Sequence, residues 1–482
     1  MSSRPVPAAP ARWTAGLIAV LVAGAAGLAV RTGLTVAGGG SKLALLVPLA
    51  VPAVLLLVGI ALTRFEWFVL LLLAARASLD TTKLSAAPAA VVRAAGGAAP
   101  PGRGLDPSAV IAAGFILAGL LWVAWHRTAA GRTEQSPLER AACLFVALWS
   151  LSVIGSQQPG TSLLEALRIF AAVLMLIVLV RLLADGARMR AVLAAAFASA
   201  VVPLLVAGYQ AVGTHGRFEA GGFSRIRGTF VHPNPFGLYL TFVLAMGVAV
   251  IPHVAGRARL LLALLLGGCG VALMLTYTRT AWICTLLALV VIGLLQSKRL
   301  LGVMFLAGLV ALVAVPSLTA RFADLGTQQR ASGSAGNSLI WRFSYWTEAL
   351  PLAKHNPVTG ICLKMVQLNT QEQKAPHNDF VRAYIETGIL GLLAYLWLLV
   401  AMVRTAWAAV VRARPGLERG AAVGFAACVA AYWAMSLTSN VVSQVVLLWY
   451  FFAFAASAIA LSPRPHPRPH SDDHELVLVS AP

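Results

Sequence analysis

FGLYLTFVLAMGVAVI, running from Phe236 to Ile251, contains no charged residue, and its reading decides the fold. LALLVPLAVPAVLLLVGIAL, from Leu43 to Leu62, is a second run of the same kind. Uninterrupted apolar stretches of about 17–25 residues cross a bilayer as helices. The rest of the chain agrees: of 482 residues, 59% are hydrophobic and 11% charged, where a soluble domain carries about 25% charged residues. Too little polar surface remains to keep such a chain dissolved, so the sequence predicts an all-α polytopic membrane protein.

Working outward from these runs gives helix starts near Thr14, Leu43, Trp67, Ser108, Ala141, Leu163, Ala191, Pro235, Leu260, Thr280, Leu301, Phe380, Ala421 and Val442. The third and fifth are short enough to be re-entrant or merged, so about 12–14 transmembrane helices are expected by the length rule. The basic start, Met1 to Arg12, precedes a first span read as uncleaved. Placing both termini in the cytoplasm puts one set of short connections inside. It holds Arg64; Arg127, Arg132 and Arg140; Arg181, Arg188 and Arg190; Arg257 and Arg259; Lys298 and Arg299; and Arg404, Arg412, Arg414 and Arg419. Each is basic, as the positive-inside rule requires.

This placement accounts for much of the net charge of +20, from 37 Lys and Arg against 17 Asp and Glu. Basic flanks of membrane spans serve retention and contact with anionic lipid. No basic helix with interleaved aromatics is present, so nucleic acid is not an expected partner. Cys143, Cys269, Cys284, Cys362 and Cys428 form no CxxC pair, which supports neither a zinc site nor a disulfide framework. His466, His470 and His474 lie in a Pro-rich tail read as solvated and disordered.

The opposite connections hold three longer outer segments, about Ser78–Pro107, Gly213–Asn234 and Ser317–Asn378. The last contains Trp341, Tyr345, Trp346, Ala349 and Leu350, a pattern that predicts short amphipathic helices on the membrane surface. Four domains follow: N-terminal transmembrane helices, 1–212; a catalytic membrane region, 213–404, with outer loops 213–234 and 317–378; C-terminal helices, 405–461; and a disordered cytoplasmic tail, 462–482.

Some basic residues break the inside rule. Arg217, Arg225 and Arg227 crowd one outer loop, and Arg279 sits at the outer end of a hairpin. Arginine near hydrocarbon marks a partner, and its planar fork of donors suits phosphate oxygens. A pyrophosphate bridging lipid and sugar is an anion found at that depth. Headgroup contact explains Arg217; for Arg225 and Arg279 the functional reading is favoured. His377 stands where the last outer loop meets a span, and a neutral imidazole there takes a proton from a sugar hydroxyl. Asn378 or Asp379 would cap the next helix, and Arg382 with Glu386 would form an i,i+4 pair. His215, His232 and His355 are alternative bases, His232 the nearest rival. Outer loops contain no DxD-like pair, and the chain no HExxH, P-loop or serine elbow, so no metal or other cofactor is expected.

The ordered patterns resemble the O-antigen ligase and polymerase superfamily. They are Arg225-Ile226-Arg227-Gly228-Thr229-Phe230 followed by Pro233-Asn234; Thr278-Arg279-Thr280-Ala281-Trp282; Arg342 with Trp346, Ala349, Leu350, Pro357 and Gly360; and His377-Asn378-Asp379-Phe380 followed by Glu386-Thr387-Gly388 and Gly391. The agreement covers about Arg225 to Gly391; the first half matches only as a run of spans. Cys362 stands where the family often has a second glycine.

The resemblance implies a metal-independent inverting glycosyltransferase of the inner membrane, using an undecaprenyl-pyrophosphate-linked glycan at the outer face. Arg225 and Arg279, with Arg227, would hold pyrophosphate, and His377 would activate the acceptor hydroxyl. Asn234, Arg342, Asn378 and Glu386 would support them. The acceptor would be lipid A-core for a ligase, a lipid-linked repeat for a polymerase, or a protein hydroxyl for an O-oligosaccharyltransferase; the ligase is the leading expectation. A lipid-linked glycan flippase is the rival from another class. It would place charges facing a mid-span cavity, whereas these cluster at outer ends.

Overall fold

The computed structural model describes residues 56–79, 107–130, 135–183, 187–213, 215–220, 223–299, 301–302 and 338–460. These residues are almost wholly helical. In chain order the helices are α1 (Phe65–Ala75), α2 (Pro107–Ala130), α3 (Pro137–Leu151), α4 (Pro159–Leu182), α5 (Ala187–Ala198), α6 (Val201–Val212), α7 (Pro233–Val250), α8 (Gly256–Leu275), α9 (Arg279–Leu295), α10 (Ser338–Ala349), α11 (Met365–Asn369), α12 (Asp379–Arg412), α13 (Leu417–Thr438) and α14 (Val445–Ala460). One hairpin, β1 (Phe218–Ala220) with antiparallel β2 (Phe223–Arg225), lies between α6 and α7.

Among the described residues, seven helices are long and apolar enough to cross a membrane, and four shorter apolar helices accompany them. Together they account for every predicted start except those near Thr14, Leu43 and Leu301, whose segments lie wholly or largely outside the described residues, as do most of Ser78–Pro107, residues 317–337 and the tail. Observed starts fall within about one turn of the predicted ones, mostly upstream, because prolines and polar residues belong to the first turn. Pro137, Pro159 and Pro233 each open a helix in this way. The fifth predicted segment is a separate helix, long enough to span with its terminal turn: it runs Pro137–Gly155, 19 residues. The predicted boundary after residue 404 falls inside α12.

The helices pack as one bundle. The central helix α7 lies against α13, α9 and α8, while α4 packs on α14 and α12 on α3 and α13. Small residues allow close approach: a methyl at Gly424 would meet Met246 Sδ at 2.7 Å. Successive crossings bring 152–158, 213–232, 276–278, 338–378 and 439–444 to one end of the bundle. The arginine-rich connections fall at the other.

A break in α12 shapes the first of these ends. Gly388 has φ +63°, interrupting the helical ladder. Inside a membrane, freed backbone groups need partners, and the segment 357–362 supplies them. Ile361 N–H donates to Ile385 O at 2.9 Å and Cys362 N–H to Glu386 O at 2.9 Å, while Ile389 N–H donates to Pro357 O at 2.9 Å. Gly360, at φ +72°, allows the approach, since a Cβ there would lie 2.4 Å from the Glu386 carbonyl carbon.

Candidate functional site

The first loop is built around its arginines. Arg225, buried at the end of β2, donates from Nε to Thr276 O at 2.7 Å and from Nη2 to Asn234 Oδ1 at 2.8 Å and Thr278 Oγ1 at 2.9 Å. It therefore ties β2, the start of α7 and the α8–α9 hairpin together. Ile226 N–H adds a bond to Leu275 O at 3.2 Å. Arg227 donates to Gly216 O at 3.0 Å and Val231 O at 3.2 Å. Gln210 holds the next turn, its Oε1 accepting from Arg227 N and Gly228 N, both at 2.9 Å.

The residues after Arg225 have structural reasons. Gly228 sits at φ +55°, where a Cβ would meet Pro203 O at 2.9 Å. Thr229 donates to Ala77 O at 2.7 Å, and Phe230 is buried against Phe236 and Tyr239. His232 caps α7, its Nδ1 accepting from Asn234 N–H at 3.1 Å.

The second loop carries the other half. In α10, Tyr345 and Ala349 are buried with Ala353, Val366 and Ile385, with Trp341 and Trp346 packed beside them. Phe343 is 63% exposed, so the helix is amphipathic, as predicted. Trp346 Nε1 donates to Pro376 O at 2.7 Å, and Tyr345 donates its hydroxyl proton to Lys374 O. These bonds present His377, which lies at φ +53°. The Trp341 ring stands edge-on to it, with centroids 5.5 Å apart. Asn378 caps α12, its Oδ1 accepting from Phe380 N at 2.9 Å and Val381 N at 3.1 Å. Left-handed non-glycine residues cost energy and persist only where the surroundings over-determine them; Tyr277 and His377 are both of this kind, and both lie in the converging loops.

Electrostatics shows the convergence. Burial pushes His377 down to about 4, and the Arg342 and Lys374 charges push the same way. Burial pushes His232 down to about 4 as well, reinforced by Arg225, His377 and Arg227. Arg342 is itself lowered by burial and by Arg279. Among the described residues its Nε is buried without a hydrogen-bond partner. Arg225, Arg227, Arg279, Arg342, His232 and His377 thus share one cationic neighbourhood. Both imidazoles are neutral there at neutral pH. Of the rival histidines, His215 and His355 are exposed. Among the described residues, no three His, Cys, Asp or Glu side chains form a ligand set for a metal ion.

Glu386 belongs to a separate, buried network. Arg382, 1% exposed, donates from Nε to Glu386 at 2.8 Å and from Nη2 to Glu165 at 2.9 Å, and also bonds Ser443. Lys364 Nζ lies 3.9 Å from Glu165. The expected i,i+4 pair is present, but its second partner comes from α4. Sequence reasoning passed over Glu165 and Lys374. The available signal was an acid within an apolar run, which membrane spans tolerate only with a partner.

The fold and this site define a polytopic helical membrane protein whose loops at one end of the bundle converge on clustered arginines and two histidines. The O-antigen ligase family model matches residues 260–396, so the resemblance to the O-antigen ligase superfamily holds; that family is one of glycosyltransferase- or ligase-type enzymes. Arg279, Arg342, His377 and Glu386 lie within the matched segment; Arg225 and Arg227 precede it. No curated protein matches the chain.

Proposed function

We propose that the protein transfers a glycan from an undecaprenyl-pyrophosphate donor to an acceptor hydroxyl, at the outer face of the inner membrane, without a metal ion. The observation that carries this reading is the meeting of neutral His377 with Arg342, which Arg279 faces in turn, at the loop-bearing end of the bundle. His377 takes the acceptor's hydroxyl proton. The acceptor oxygen bonds to the anomeric carbon from the face opposite the leaving group, inverting it. The carbon–oxygen bond to pyrophosphate breaks, and undecaprenyl pyrophosphate departs with the electron pair. Arg279 and Arg342 meet the pyrophosphate charge. Arg225 and Arg227, committed largely to loop atoms, set the hairpin and contribute their field.

An imidazole held at about 4 by burial and by Arg342 and Lys374 is a weak base. Two negative charges beside Arg342 would offset the cation that depresses it, so donor binding would strengthen the base. Lipid A-core is the acceptor in the ligase reading; a lipid-linked repeat or a protein hydroxyl serves a polymerase or an O-oligosaccharyltransferase. Against a flippase, the notable cations sit at helix ends rather than in a mid-span cavity.

The test is turnover by purified protein supplied with undecaprenyl-pyrophosphate glycan and acceptor. His377→Ala should keep normal membrane levels and lose roughly 10²–10⁴-fold in rate, as removal of a positioned base does. Near-native turnover by this variant would remove His377 from the chemistry.

A further inference from the structure

The imidazole of His232 has its two nitrogens in different situations. Nδ1 accepts the backbone N–H of Asn234 at 3.1 Å. A backbone N–H can only donate, so Nδ1 keeps its lone pair and the hydrogen of the neutral ring is on Nε2. Among the described residues, no side chain or backbone oxygen accepts from that Nε2–H. The ring is fixed on one side by Phe218, edge-on with centroids 4.4 Å apart. The charges that act on it are Arg225, His377 and Arg227. It therefore carries one fixed, unused donor within the cationic neighbourhood.

We infer that His232 is a further substrate-touching residue: a neutral hydrogen-bond donor, through Nε2–H, to a pyrophosphate oxygen of the lipid-linked donor. This rests on the pyrophosphate reading above. The tautomer also excludes His232 as the base, because Nδ1 would have to surrender the cap of α7 to take a proton. Burial keeps the ring uncharged at neutral pH, so it adds a donor without adding repulsion to arginines already crowded together. As the glycosidic bond breaks, negative charge grows on the leaving phosphate. A donor already in place stabilises that charge without reorganisation.

Two substitutions separate this role from helix capping. His232→Asn places an acceptor where Nδ1 was and keeps the cap, but its amide N–H falls short of the Nε2 position. His232→Gln reaches that position with a donor and caps poorly. Binding of undecaprenyl pyrophosphate to the purified full-length protein in nanodiscs is the readout, with thermal stability measured in parallel. The expected result is native-like affinity, within about threefold, for His232→Gln, and at least about tenfold weaker binding for His232→Asn, although His232→Asn is the more stable of the two. Affinities that follow the stability order, or native affinity in His232→Asn, overturn the inference. Arg279→Ala distinguishes the two levels. If it loses binding while both His232 variants bind normally, only the role of His232 falls. If it too binds normally, the pyrophosphate reading falls with it.

Discussion

Gly388→Ala is the substitution to which this fold should be most sensitive. Gly388 lies at φ +63°, and a Cβ there would sit 2.2 Å from Val358 O and 2.3 Å from Val358 C. Left-handed backbone costs a residue with a side chain about 1–2 kcal/mol. The clash is with backbone, so no rotamer change relieves it, and the 357–362 segment has to move. Three hydrogen bonds of 2.9 Å then fail, those of Ile361 to Ile385, Cys362 to Glu386 and Ile389 to Pro357. Each leaves buried peptide groups unpaired, at about 1–3 kcal/mol apiece. The total is roughly 4–11 kcal/mol, in the range reserved for severe substitutions. Thermal denaturation of the purified protein should show a midpoint lower by on the order of 10 °C. Gly270→Ala is the control: it lies in α8 with nothing within 4 Å of its would-be Cβ, and should be neutral or slightly stabilising. A Gly388→Ala midpoint within about 2 °C of native would refute the account of α12 as a helix broken and patched by the 357–362 segment.

Arg342→Gln removes the influence second to burial on His377; the low-pH limb of the kcat/KM profile, which reports the free enzyme, should move upward from about 4 toward the ordinary histidine range, and an unmoved limb would detach Arg342 from the base. His232 and His377 are both depressed in the folded state, so their contribution to stability is full above about 6.5 and is lost as pH falls toward 4, because the unfolded chain takes up protons first; melting scans between these limits should fall monotonically on acidification. Arg382→Met leaves Glu165 and Glu386 buried without their shared cation, at a cost of roughly 3–5 kcal/mol, read as loss of folded protein from the membrane; unchanged yield and melting would show the network to be dispensable. His355→Cys should react with an impermeant thiol reagent from outside the cell and Gly416→Cys should not; the reverse would invert the proposed orientation.

The spans were legible because apolarity over a bilayer's thickness is a one-dimensional property, and Phe236–Ile251 states it without reference to any neighbour. Caps were legible for a similar reason: Asn378 binds N–H groups two and three residues away. The Arg225 motif was readable as a pattern, but its physics was not. An arginine that suits phosphate suits a carbonyl and an amide equally, and only the approach of Thr276 and Asn234 decides where its donors go. Glu165 and Arg382 are far apart in the chain, so their pairing waits on the packing of α4 and α12. Cys362 illustrates the opposite case. A cysteine stands where a glycine is common in the family, yet the chain keeps left-handed geometry there at φ +80°, because its N–H is required by Glu386 O across the break in α12.

His377 is where the two kinds of information meet. The sequence argues for histidine as a base because the free imidazole titrates near neutral pH. The fold changes that premise: burial in the converging loops, and after it the cations those loops would collect for a pyrophosphate, lower the imidazole to about 4. On the proposed reading these facts form one device. Before the donor arrives, the base is too weak to activate a hydroxyl, and the arginines are under mutual repulsion. Pyrophosphate relieves both at once, so proton abstraction is favoured only in the presence of the leaving group it must accompany. Such coupling cannot be read from a motif, because it depends on which charges share a volume rather than on their order along the chain.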